Sequence, residues 1–467
     1  MWDAQYDVII IGSGFAGLAA ALEAHRCGAS TIVLEKMQVP GGNSTISGGL
    51  IAAAGSFLQK EKGIEDSIEL MLADMVRAGM ELNQPQLARI VAEHSVEVLQ
   101  WTIDELGVKY KPTLSHLGGH SVPRTLNTTN TSGSGIVRPM LAKCRELGIP
   151  IQLKTYLERL IIGDHSEIDG VEVREGYIFP NFQTGVLKRI RARKAVVLAT
   201  GGFSQDTKFR AILNPTLTED IESTNQPGAT AESLIEAIRI GATPVQLSQI
   251  QLGPWASRDE EGFGFGSMFS MLAGFPYGIL VDKKSGRRFV NELSDRKLLV
   301  DAMLNSGREA VAIVDSRGTL YASTLDKCLK RGVVQRFETI EELARFNKIS
   351  PELLAETIRR YNASVQKGVD DEFGKPMPED MSPLEYPPYY SIRLISKVHH
   401  CMGGVQINTK SQVICIQTNR PIGRFYAAGE ITGGIHGASR LGSNAITDCL
   451  VFGRIAGNHA AQESTRR

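Results

Sequence analysis

The stretch Asp7–Gly17, DVIIIGSGFAG, decides the fold. Val8 to Ile11 is a continuous β-branched run without polar alternation, the pattern of a strand covered on both faces of a parallel sheet. Gly12, Gly14 and Gly17 follow at once in G-x-G-x-x-G spacing. In such a turn the first glycine permits the bend, the second lets backbone approach a pyrophosphate, and the third lets the next helix pack on the strand. Leu18 to Cys27 reads as that helix, and the turn before it, Ala16 included, directs amides at phosphate. Ser30 to Leu34 reads as a second strand ending at Glu35 and Lys36, where a carboxylate accepts from adenosine ribose hydroxyls. A glycine turn alone is weak evidence. Strand, glycines, helix, strand and terminal Glu in that order specify a dinucleotide fold, and residues beyond Glu35 must choose between NAD and FAD.

Working outward, 467 residues with 42% hydrophobic and 22% charged composition can bury a large core divided into two or three lobes. Basic and acidic residues both total 51, so the formal charge is zero and neither nucleic acid nor an anionic membrane is a general partner. No run reaches about eighteen apolar residues, so membrane insertion is not expected. The N-terminus shows no basic leader or small-residue cleavage site, and a cytoplasmic location is expected. Cys27, Cys144, Cys328, Cys401, Cys415 and Cys449 are scattered without CxxC, which predicts reduced thiols and argues against zinc, iron–sulfur or attached haem; no metal is expected.

After Glu35 comes KMQVPGGNSTISGGL. With this segment in place the chain resembles the flavoprotein family of fumarate reductases and succinate dehydrogenases. The resemblance implies FAD, with Gly42, Asn43, Ser44, Gly48 and Gly49 running along pyrophosphate and flavin. Respiratory members attach FAD through a histidine in this loop; Ser44-Thr45-Ile46 holds none, so non-covalent FAD is expected. Lys194–Phe203 resembles the family's strand into ATGG, a second glycine turn, which assigns Ala199, Thr200 and Gly201 to the cofactor. Arg424–Glu430 resembles the strand ending in AGE, assigning Gly429 and Glu430. RLGSNAI, Arg440–Ile446, would open a helix facing the flavin pyrimidine, with Arg440, Ser443, Asn444 and Ile446 in contact. The implied fold class is α/β: a Rossmann-type FAD-binding domain with a parallel sheet, residues 1–245 and 399–467, and an inserted α+β capping domain, residues 246–398.

The same resemblance implies the chemistry. GRRFVNE, Gly286–Glu292, leads to Arg296, matching the arginine that delivers a proton to substrate carbon. VHHCMGGV, Val398–Val405, makes His399 the carboxylate-binding histidine and His400 a structural neighbour. GGIHGASRLGSNA, Gly433–Ala445, makes Arg440 the bidentate carboxylate clamp, supported by His436. His399 and Arg440 would fix the carboxylate of an α,β-unsaturated acid, hydride would pass from flavin N5 to the β-carbon, and Arg296 would protonate the α-carbon. The relay carboxylate stays open among Asp259, Glu260 and Asp295.

The chain departs from the family at Gly253-Pro254-Trp255, which stands where His-Pro-Thr would hold a second carboxylate. Trp255, Phe263, Phe265, Phe269 and Phe275 read either as an aromatic wall suited to a monocarboxylate such as urocanate, a cinnamate or another acrylate, or as ordinary cap packing. His120 either approaches flavin or substrate, or braces its loop. With no haem motif or second nucleotide fingerprint, an external electron-donor protein or domain is expected. Two other functions fit the fold: a dehydrogenase desaturating a 3-ketosteroid or a saturated acid, and a flavin electron-transfer subunit without turnover of its own.

Overall fold

In the computed structural model, which describes residues 1–163, 167–307, 309–377 and 381–465, the strand Ala4–Ile11 lies inside a parallel sheet. It pairs with Thr31–Leu34 on one side and Val186–Leu198 on the other. Ile151–Gln152 extends the sheet beyond the second strand, and Pro421–Ala427 extends it beyond the third, so the end of the chain returns to the same sheet as its start. Val8, Ile9 and Ile10 have no exposed surface, as a strand covered on both faces requires. The first helix runs Phe15–Arg26, three residues earlier than its sequence suggests, because the Ser44 hydroxyl accepts the Phe15 amide and serves as an added N-terminal partner.

The inserted domain is built on an antiparallel sheet of Ile250–Ser257, Tyr389–Cys401, Glu309–Asp315, Ile279–Asp282 and Val334–Phe337. Both faces are covered, and the strand period of two sorts residues between them. Ile279, Val281, Val311 and Ile313 pack under helices holding Leu343, Leu354 and Tyr361, while Leu280, Ala310, Ala312 and Val314 face Trp255, Phe269, Leu299 and Met303. Leu50 and Leu117 of the cofactor domain join this second cluster, so the two domains meet through a packed apolar seam. The expected cut between residues 398 and 399 falls within the strand Tyr389–Cys401, which carries the chain without interruption from cap to cofactor domain. Among the described residues no helix is long and apolar enough to cross a membrane.

Candidate active site

The C-terminal ends of the parallel strands open on a cleft of about 870 Å³. Gly12, Gly14, Ala16, Glu35, Lys36, Gly42, Asn43, Ser44, Ala199, Thr200, Gly201, Gly429 and Glu430 line it. Gly12 has φ +103°, and a Cβ there would stand 2.3 Å from the Ala199 carbonyl oxygen, so the two glycine turns are in backbone contact. Glu35 Oε2 accepts from Ser13 N at 3.1 Å and Ser13 Oγ at 2.5 Å, while Oε1 accepts the Met37 amide at 2.9 Å. The carboxylate therefore braces the glycine turn as well as facing the cleft. Gly48, Arg440, Ser443 and Ile446 line an adjoining second cavity, and three of the expected cofactor residues, Gly17, Gly49 and Asn444, line neither. Gly17 packs on the Gly12 carbonyl, Gly49 on Thr128 and Ser132, and Asn444 is fully buried next to the lining residues Ser443 and Ala445.

The donor set suits a dinucleotide. Thr200 Oγ1 and both amide atoms of Asn444 are buried without a protein partner, and a polar ligand alongside would supply one. The amides opening the helix Phe15–Arg26 face the same cleft.

A second cavity of about 800 Å³ continues from the first, sharing Phe15, Asn43, Ser44, Glu430 and Cys449. Gly48, Ser443 and Ile446 line it, as do Arg296, His399 and Arg440, which thus come together from three distant segments. Arg440 is 4% exposed; its Nη1 donates to Leu441 O at 3.0 Å and its Nε has no partner. The Arg296 guanidinium lies 4.3 Å over the Trp255 ring, and Nη1 donates to Gln251 Oε1 at 3.2 Å. Gln251 is held in turn by donating Nε2 to Ser439 Oγ at 2.8 Å. His399 Nδ1 meets Thr224 Oγ1 at 2.7 Å, and its ring stands edge-on to Trp255 at 5.1 Å and stacks on Phe263 at 6.0 Å.

The hydrogen bonds of both guanidiniums go to neutral oxygens, which leaves their charge available to an anion. Burial, and then the Arg440 charge, hold Arg296 well below the ordinary arginine range. Burial, then Arg296 and Arg440, hold His399 well below the ordinary histidine value, so the ring is neutral. Burial lowers Arg440 to about 10 against the opposing pull of Glu430. The carboxyl of Glu430 is pushed up to about 7 by burial.

Several expected roles are redistributed. His436 does not line the cavity: its Nε2 lies 3.2 Å from Asp448 Oδ2, so its partner is that carboxylate rather than Arg440. His400 does line the cavity, with Nδ1 3.5 Å from Glu430. None of the three relay candidates is bonded to Arg296. Asp295 caps the helix Arg296–Ser306 by accepting the Lys297 and Leu298 amides; Asp259 pairs with Arg393; Glu260 accepts the Phe265 and Gly266 amides. Of the five aromatics, Trp255 and Phe263 line the cavity, whereas Phe269 and Phe275 are cap core and Phe265 lies beneath Lys327 and Arg331. His120 braces its loop. Arg124 Nη1, which can only donate, lies 3.3 Å from its Nδ1, so the proton is on Nε2 and goes to Gly442 O at 2.9 Å.

Sequence reasoning passed over Thr224 and Asn225, which line the second cavity, and Gln226, which lines the first. Their segment, ESTNQPGAT, carried a detectable signal, a polar tetrad closed by Pro-Gly. Gln251 and Met271 were also missed. Met271 reaches the cavity from Ser270–Gly274, a stretch wound as a π-helix, a form concentrated at functional sites.

Comparison with known proteins matches residues 7–446 to the FAD binding domain family. The chain is 45% identical over 463 residues to an acrylate reductase flavoprotein subunit of Shewanella woodyi, covering 97% of this chain and 91% of that one. It is 32% identical over 464 residues to a urocanate reductase of Eggerthella lenta, covering 97% and 74%. The open conformation of a flavocytochrome c3 fumarate reductase superposes with a TM-score of 0.77 at 33% identity, covering 99% of this chain and 79% of that structure.

Proposed function

Since the chain belongs to the FAD binding domain family, we propose that it reduces the carbon–carbon double bond of an acrylate-type monocarboxylate, using non-covalent FAD and electrons from a separate donor protein. The broader part of this reading, an FAD-dependent oxidoreductase reducing an unsaturated carboxylate, is common to its acrylate, urocanate and fumarate reductase relatives. The finer part rests on one observation at the cap strand. A Cβ on Gly253 would stand 3.0 Å from the Trp255 ring and 3.5 Å from His399 Cβ. The indole thus fills the space a side chain at 253 would use, and the only donor it offers there is its own neutral, unpartnered Nε1–H. A second carboxylate against that ring would meet one neutral N–H where a histidine and a hydroxyl could otherwise stand, and it would compete for the Arg296 guanidinium, so a monocarboxylate is favoured over a dicarboxylate. The high identity to an acrylate reductase subunit supports a small acrylate over the bulkier urocanate.

FAD supplies hydride when bound. The protein's part is to hold the acid and donate the proton. Arg440, through its unpartnered Nε edge, and His399 grip the carboxylate and draw electron density away from the double bond. Arg296 donates a proton to the α-carbon; its lowered proton affinity makes it a stronger acid than an exposed guanidinium, and Trp255 and Gln251 fix where it points. Trp255, Phe263 and Met271 keep water from the reacting carbons. The ketosteroid reading calls for tyrosines, and among the described residues lining this cavity none is a tyrosine.

The test is anaerobic mixing of dye-reduced enzyme with acrylate, urocanate, fumarate and an enone steroid while flavin absorbance is followed. Reoxidation by acrylate at least about tenfold faster than by fumarate supports the reading. Equal or faster reoxidation by fumarate contradicts the single-carboxylate site, and failure of every acid would favour the electron-transfer subunit.

A further inference from the structure

We infer that Thr224 is a positioning residue that fixes the proton of His399 on Nε2, so that the imidazole presents an N–H donor to the substrate carboxylate. The inference rests on the carboxylate-binding reading of the cavity and adds the device that makes the histidine serve it.

Backbone places Thr224 beside the ring whatever its side chain. Val398 N donates to Glu222 O at 2.8 Å and Thr224 N donates to Val398 O at 2.8 Å, so the segment runs along the end of the cap strand. Thr224 is 2% exposed, and its hydroxyl lies 2.7 Å from His399 Nδ1. Its other acceptors are poorer: Asn225 Oδ1 is at 3.3 Å, and Val398 O, already taken by the Thr224 amide, is at 3.4 Å. The ring cannot turn over freely, because Trp255 stands edge-on at 5.1 Å and Phe263 stacks at 6.0 Å. Nδ1 is therefore held at the hydroxyl and the Nε2 edge is left to the cavity.

A neutral imidazole carries one N–H, and burial between two guanidiniums keeps this one neutral. Two arrangements remain. With the proton on Nδ1, the ring donates to Thr224 and offers the cavity a lone pair, which repels a carboxylate. With the proton on Nε2, Thr224 donates into Nδ1 and the cavity receives an N–H to act alongside the unpartnered Nε of Arg440. Carboxylate binding needs the second arrangement, and a hydroxyl is the group that permits it, since it can donate to Nδ1 where a backbone carbonyl could only accept. His120 shows the same device in this protein with a different donor: Arg124 faces its Nδ1 and leaves Nε2–H for the Gly442 carbonyl.

The test has one arm that needs no substrate. Oxidised, FAD-loaded enzyme labelled with 15N-histidine, with His399 assigned by difference against His399→Gln, is expected to show protonated Nε2 and bare Nδ1 between pH 6 and 8. A protonated Nδ1 would overturn the inference while leaving the substrate reading to be judged by the acid panel. In the kinetic arm, Thr224→Val is expected to raise KM for acrylate about tenfold, the effect of one lost buried hydrogen bond, and to lower kcat as well, because His399 also draws electron density from the double bond. Thr224→Ser, which restores the hydroxyl, is expected to return KM to within about twofold of wild type. Wild-type KM in Thr224→Val, or the same loss in both variants, would mean that Thr224 acts by packing alone.

Discussion

The two cavities that meet at Asn43, Ser44 and Glu430 are built by different means. The cofactor cleft is largely backbone and small residues: glycine turns at the ends of parallel strands, a helix N-terminus, and Glu35 holding one turn closed. The second cavity, the proposed substrate site, is side chains from segments far apart in sequence: Thr224, Trp255, Arg296, His399 and Arg440, with a packed ring and guanidinium among them. A backbone site fails all at once when a methyl group is added, whereas a side-chain site fails group by group and keeps its cofactor. Four variants, three single and one double, probe that difference.

The largest effect is expected at Gly12. Gly12→Ala adds a Cβ 2.3 Å from the Ala199 carbonyl at a φ of +103°, and the purified protein is expected to hold no flavin by absorbance. A yellow variant would break the claim that backbone contact sets the cleft. In the side-chain cavity Arg296→Lys is expected to keep full flavin content and lose roughly a thousandfold in kcat, because a flexible ammonium cannot take the stacked, Gln251-bonded position. Arg440→Met is expected to cost roughly a hundredfold in kcat/KM for acrylate, again with FAD retained. The double change Gly253→His with Trp255→Thr is expected to raise the fumarate-to-acrylate ratio of kcat/KM by about tenfold, by putting an imidazole and a hydroxyl in place of the indole. No change in that ratio would mean that Trp255 does not set the carboxylate count.

The smallest effect concerns the loop of His120, which bonds the Gly442 carbonyl. Burial, and then the Arg124 charge, push His120 down from 6.5 to about 3 in the folded protein. The unfolded chain therefore binds the proton more readily, and the stability contributed by neutral His120 is intact above pH 6.5 and is lost as pH falls towards 3. At pH 5.5, one unit below the unfolded value, the expected loss is about 1.4 kcal/mol. His120→Gln, which keeps an amide donor for the Gly442 carbonyl, is expected to flatten denaturant-measured stability between pH 7 and 5.5 by about that amount.

The same contrast explains what the sequence disclosed. Glycine spacing, an apolar strand and a terminal Glu are consecutive residues whose backbone demands can be read in place, and they located the cofactor cleft within the first fifty residues. Arg296, His399 and Arg440 were legible through motif resemblance, since each sits in a distinctive run. Thr224 was not, because its role depends on two backbone hydrogen bonds to residue 398, more than 170 positions away. The aromatic wall was half legible for a similar reason. Composition revealed the rings, but the register of Ile250–Ser257 against Tyr389–Cys401 shifts between Gly253 and Ala256, and that irregularity aims Trp255 inward. Phe269 and Phe275 carried the same sequence signal and went to the core. The relay carboxylate, left open among Asp259, Glu260 and Asp295, was not legible, and each of the three satisfies a local need: an ion pair, two loop amides and a helix cap.

The claim that this cavity is made for one carboxylate is tested most directly by binding, without turnover or an electron donor. Oxidised, FAD-loaded enzyme is titrated with propionate and with succinate, the saturated counterparts of acrylate and fumarate, and the flavin difference spectrum is followed. The account requires propionate to bind at least about tenfold more tightly than succinate, and Arg440→Met to abolish the propionate signal. Tighter binding of succinate would contradict it, and would mean that a second carboxylate finds a donor beside Trp255.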